Sequence, residues 1–124
     1  MDNKKLGKLG EKIAEKFLIA QKYKILEKNF HSRYGEIDII AVDLSKKPQI
    51  VFVEIKTRTS VLFGEPQEAV SFTKKAKILK TALYFLNSAR QKLPFIWRID
   101  IIALKLDRKR KIIDINHIKN IFDG

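Results

Sequence analysis

The sequence contains no cysteine, and that absence removes disulfide frameworks, thiol nucleophiles, iron–sulfur clusters and cysteine-ligated zinc together. Histidine is scarce too. His31 and His117 are the two imidazoles in 124 residues. They lie far apart and in no metal-ligand spacing, which argues against zinc or copper and leaves magnesium or manganese held by oxygens. No apolar run approaches the roughly 18 residues a membrane helix needs, and the opening Met1-Asp2-Asn3-Lys4-Lys5 lacks the apolar stretch of a secretory signal. The expectation is a cytoplasmic protein with no membrane partner. With five glycines and three prolines the chain shows no repeat, low-complexity segment or interior linker.

What the chain has in excess is positive charge. Twenty-six Lys and Arg against 14 Asp and Glu give +12, the footprint of a polyanionic partner, with nucleic acid the first candidate. Ribosomal, membrane-surface and thermophile proteins share such a balance, so charge alone does not define a chemistry. A chain of 124 residues fits one domain spanning 1–124, with a core of one sheet and a few helices and a shallow active site.

Leu6, Leu9, Ile13 and Phe17 recur at helical spacing and predict an amphipathic helix over 6–21 that packs this stripe on a core. Strands follow at 23–30, 36–42 and 50–57, the second and third joined as a hairpin around Pro48. The third is rich in β-branched residues and apolar on both faces at its start, as expected of a central strand. After a loop over 62–66 the pattern turns helical to Arg90, as a short helix and then a long one with Ala76, Leu79, Leu83 and Leu86 on one face. Strands at 97–106 and 112–115 flank a polar turn, and the tail from His117 reads as a helical turn. This order predicts an α/β fold with a mixed sheet.

The chemistry concentrates on two strands. Residues two apart in a strand share a face at roughly 6.5 Å, so Glu54 projects with Lys56, and Arg58 extends that face by one step. By the same rule Glu36 and Asp38 share a face on the preceding strand, with Ile37 and Ile39 opposite. Charges in an apolar central strand are costly unless paired, metal-bound or open to a cleft. If the hairpin brings Asp38 to Glu54, two adjacent carboxylates repel unless a cation bridges them, and a divalent ion makes the arrangement favourable.

Asp38 followed by Glu54-Ile55-Lys56 resembles the core signature of the PD-(D/E)xK nuclease superfamily. Within it, Gly35-Glu-Ile-Asp-Ile-Ile-Ala41 and Val51-Phe-Val-Glu-Ile-Lys-Thr-Arg58 resemble the YraN-like bacterial family, related to archaeal Holliday junction resolvases. Gly10-Glu11, Gly64, Pro66, Lys74 and Arg98-Ile-Asp100 extend the likeness over nearly the whole chain. Ile37 stands where the superfamily carries proline, and His31 where an arginine is expected.

The resemblance implies a restriction-endonuclease-like α/β domain with a mixed central sheet flanked by helices. It further implies a magnesium- or manganese-dependent endonuclease acting on DNA, with branched or junction DNA as the substrate, and a homodimer. By the same likeness Asp38, Glu54 and Glu11 would ligate the metal, while Lys56 would orient the attacking water or stabilise charge. Glu11 enters on the resemblance alone, because it lies off the Leu9/Ile13/Phe17 stripe. Arg58 and Lys74 are candidate phosphate contacts, as are the Lys74–Lys80 cluster and the basic turn after Lys105. Trp97, Phe95 and Tyr34 are aromatic enough to stack on bases, but their spacing fits core packing better. The alternative function is a basic nucleic-acid-binding accessory protein whose nuclease site is vestigial.

Overall fold

The first helix stops where Lys22 takes a left-handed φ of 69°, with the Gln21 and Lys22 amides closing back on Phe17, Leu18 and Ile19. The chain then runs into a meander. The structure is a computed structural model that describes residues 3–45, 47–59, 72–94 and 96–122. Its elements are α1 (Asn3–Ala20), β1 (Tyr23–Ser32), β2 (Gly35–Asp43), β3 (Gln49–Arg58), α2 (Phe72–Ser88), β4 (Trp97–Leu106) and β5 (Ile112–Ile118). The expected loop over 62–66, the short helix after it, Gly64, Pro66 and Phe95 lie outside the described residues.

The strands form one five-stranded sheet in the order β1-β2-β3-β4-β5, antiparallel throughout except for the parallel pair β3·β4. A parallel pair needs a crossover, and α2 lies in it. The β3 residues Val51 and Val53 pack with Ala14 and Leu18 of α1, whereas Ile50 and Phe52 pack with Ile78, Ala82 and Phe85 of α2. The central strand is therefore covered on both sides, which explains its continuous apolar start. The result is the expected α/β fold, a mixed sheet flanked by helices with the restriction-endonuclease-like arrangement.

Both helices are turned from their expected faces. In α1 the fully buried residues are Ala14 and Leu18, with Gly10 one turn earlier, while Leu9, Ile13 and Phe17 are half-buried. Gly10 decides this rotation. A methyl group there would collide with Thr57 Oγ1 of β3, so the helix touches the sheet backbone-first at its smallest residue. In α2 the sheet selects Ile78, Ala82 and Phe85, whose ring meets Phe52 at 5.9 Å and Phe30 at 5.2 Å between centroids. Leu83, on the apolar face expected from spacing, is 43% exposed.

Two further expectations are corrected. His117 lies in β5, not in a helical tail, and pairs with Ile102 of β4. Ile37 and Ile39 do not share a face: Ile39 packs in the α1-side core and Ile37 in the α2-side core. Strict alternation is broken at Asp38, opposite Asn29 of β1, which takes a φ of 53° between the Lys28–Ile39 and Phe30–Ile37 pairs.

Candidate active site

The antiparallel ladder of β2 with β3 runs from Asp43–Gln49 to Ile39–Val53 and goes no further. Beyond it the strands separate, and Asp38 and Glu54 are the next residue on each. Asp38 Oδ2 accepts the Ile55 amide at 2.8 Å, so a carboxylate takes the place of a ladder carbonyl and holds the splayed strands together. The gap opens into a cleft of about 510 Å³ lined by Leu6, Gly7 and Glu11 of α1, Asp38 of β2, and residues 54–59 of β3 and its end.

All four residues expected to do catalysis or hold metal, Asp38, Glu54, Lys56 and Glu11, line this one cleft, and Arg58 lies at its β3 end. Glu11 reaches it because α1 is turned onto Gly10, which brings its neighbour to the rim; its Oε2 accepts from Asn29 Nδ2 at 3.4 Å. Lys74 sits closer to the centre than a flanking phosphate contact would. Its Nζ is 3.2 Å from Glu54 Oε1, and Lys56 Nζ is 3.5 Å from the same oxygen. Two cations on one carboxylate, 7% exposed, offset the burial of its charge. This convergence was not legible in sequence, since Lys74 comes from a helix twenty residues downstream of Glu54.

Asp38 faces the same cleft. Its carboxyl is raised to about 7, first by burial and then by the negative charges of Glu54 and Glu11, against the Ile55 amide and Lys74. Lys74, by contrast, is raised because Glu54, Asp38 and Glu36 outweigh the burial that would lower it. The pair Asp38 and Glu54 thus stores electrostatic repulsion that an added cation would relieve. Among the described residues no three His, Asp or Glu side chains converge as a ready cage. Two carboxylates with room for water suit magnesium, which keeps several waters and uses one or two protein carboxylates.

The other residues singled out from sequence lie elsewhere. Glu36 is exposed and paired with His31 across the β1–β2 hairpin at 3.3 Å, outside the cleft lining. Asp100 is fully buried on the α1 side, where it accepts from Arg98 Nε, from the Asn120 amide at 2.9 Å, and contacts His117 Nε2 at 2.8 Å. Arg98 continues to Asp43 at 3.2 Å and to the Tyr23 hydroxyl at 2.6 Å. None of these residues lines the cleft; the network ties β1, β2, β4 and β5 together. Trp97 packs edge-on against Phe52 in the core.

A basic α/β domain with an acidic pair and two lysines at the open end of its central strands belongs to the nuclease-like class of folds. Within that class the chain is a member of the uncharacterised protein family UPF0102, whose model matches residues 10–104. It is 48% identical over 123 residues to a UPF0102 protein of Caldanaerobacter subterraneus subsp. tengcongensis, covering 98% of each chain. A UPF0102 protein of Caldicellulosiruptor bescii is 43% identical over 98% of this chain and 100% of its own. One from Thermodesulfovibrio yellowstonii is 45% identical over 94% and 95%. No helix among the described residues is long and apolar enough to cross a membrane.

Proposed function

We propose that this chain is a divalent-metal-dependent endonuclease that hydrolyses phosphodiester bonds in DNA, with branched or junction DNA as its substrate class. The observation that carries the reading is the meeting of Asp38, Glu54 and Lys56 in one cleft of a strongly basic domain, with Lys74 on the Glu54 carboxylate. Asp38 and Glu54 would hold magnesium or manganese, with Glu11 at the rim as a further oxygen donor. When bound there, the ion would polarise the scissile phosphate and lower the pKa of its water.

The chain's own groups supply the rest. Lys56, paired with Glu54 on the central strand, would put positive charge beside the negative charge that grows on the phosphate. The Ile55 amide holds the Asp38 carboxylate in one orientation. Arg58, at the β3 end of the cleft, would take a neighbouring phosphate, Lys74 beside Glu54 would add positive charge at the centre, and the net charge of +12 would draw the polyanion in. Water attacks phosphorus and the strand oxygen leaves, so no protein nucleophile is required.

The test is cleavage of linear, flapped and four-way-junction DNA with magnesium or manganese, comparing the wild type with Glu54→Ala and Lys56→Ala. Metal-dependent cutting that both substitutions abolish supports the proposal. A second reading, a nucleic-acid-binding protein that does not cut, draws on Glu54 already being neutralised by Lys56 and Lys74 without a metal. Tight binding with no cutting, unchanged in either variant, would establish it instead.

A further inference from the structure

On α2, Lys74, Lys77, Thr81 and Tyr84 follow at steps of three and four, so they form one ridge of the helix, about 15 Å long, fully buried at Thr81 and exposed at Lys77 and Tyr84. The ridge begins at Glu54 in the cleft and ends at an aromatic pair on the surface. Tyr84 is 43% exposed, and its ring meets that of Tyr34, from the β1–β2 turn, at 6.0 Å and 61°. Arg33 lies 4.9 Å from the Tyr34 ring centre and donates to its hydroxyl at 2.8 Å. With the two tyrosines, Lys80, Leu83 and Asn87 line a recess of about 360 Å³.

Gly35 makes this arrangement. Its φ of 149° is open to glycine, and a methyl there would press on Thr81 Oγ1 at 3.3 Å, so the hairpin turn lies directly on α2. The tyrosine pair lies at the margin of the core. Phe30 and Phe85 meet in the interior, Tyr84 packs on Phe30 at 6.2 Å between centroids, and Leu83 beside it is 43% exposed. An exposed ring, Tyr84, against a half-buried one, Tyr34, edged by Arg33, Lys77 and Lys80, matches a partner with flat apolar faces and regularly spaced negative charges.

We propose that Tyr34 and Tyr84 form a stacking site for an unpaired DNA base, whose phosphates run along the Lys77 side of α2 into the cleft. This deepens the nuclease reading and rests on it for the direction of the strand. A fully paired duplex keeps its bases stacked on each other and offers none to the tyrosines. The site therefore confers a preference for DNA carrying a single-stranded segment beside the scissile phosphate.

The test is equilibrium binding in EDTA, where no metal-dependent cutting occurs, of a fluorescent single strand, a flapped duplex and a fully paired duplex of matched sequence. Tyr34→Ala and Tyr84→Ala are expected to weaken single-strand and flap binding by about tenfold each while leaving the duplex unchanged. Tyr34→Phe and Tyr84→Phe retain the rings and are expected to bind like the wild type. A 2-aminopurine base in the flap, quenched on stacking, should lose its quenching in the alanine variants alone. Equal affinity of wild type and alanine variants for the flap would overturn the site, as would an equal loss on the duplex. Because the binding is read without metal, a chain that binds through the tyrosines but never cuts refutes only the nuclease, and one that cuts without using them refutes only the stacking site.

Discussion

The Ile55 amide donates to Asp38 Oδ2 at 2.8 Å, one step past the point where the β2–β3 ladder ends. A side chain thus completes the backbone bonding of the central strand at the place where the site opens. Asp38 has two duties, structural through one oxygen and electrostatic through its charge, and substitutions can separate them.

Asp38→Asn keeps a carbonyl oxygen for the Ile55 amide and removes the charge. It should fold normally and lose metal-dependent cleavage by about 100-fold or more. Asp38→Ala leaves the amide without its acceptor and should lose, in addition, about 1–3 kcal/mol of stability in denaturant unfolding.

Asp38 also sets a dependence on pH. A carboxyl raised to about 7 holds a proton in the folded chain that the unfolded chain has released. Its contribution is therefore present in full below about pH 4 and is lost as pH climbs toward the folded value. Thermal unfolding should show Asp38→Asn gaining on the wild type from pH 5 to 8, by an amount on the order of 2 kcal/mol at the upper end. Magnesium should stabilise the wild type more at pH 8 than at pH 5, and Asp38→Asn should lose that response.

Asp43 behaves in the opposite sense. Burial would raise it, but the Ser45 hydroxyl and amide and then Arg98 outweigh burial and hold it at about 2. Its stabilisation is present above about pH 4 and is lost as pH falls toward its folded value. Asp43→Asn should lower stability at pH 7 by roughly 2 kcal/mol and flatten the loss below pH 4, read by urea unfolding across that range.

Gly10→Ala should disturb the site from a distance. The added methyl meets Thr57 Oγ1, so α1 must lift from β3 and carry Glu11 away from the cleft. A loss of about 1–3 kcal/mol is expected. Thr57→Ala in the same chain removes the colliding oxygen and should restore part of it, whereas Gly7→Ala, with open space around it, should leave stability unchanged or improved.

The order of elements was legible because periodicity is a local signal. The strand at 97–106 has the expected ends, and Gln49–Arg58 brackets the expected central strand by one residue on each side. Glu54 and Lys56 were legible as a pair because strand geometry alone puts them on one face. Helix faces were not. Helix α2 carries two apolar rows, and only the Phe52 and Phe30 rings of the sheet choose Phe85 over Leu83.

By itself the sequence determined the chain's basic charge, its lack of sulfur chemistry, and a central strand bearing an acid and a lysine two residues apart. Tertiary structure decided which groups meet there. The contact of Gly10 with Thr57 turns Glu11 into the cleft, the crossover brings Lys74 onto Glu54, and the turn at Gly35 sets Tyr34 beside Tyr84. Each of these joins residues far apart in the chain, and no local periodicity encodes such a meeting; it follows from close packing of one surface on another.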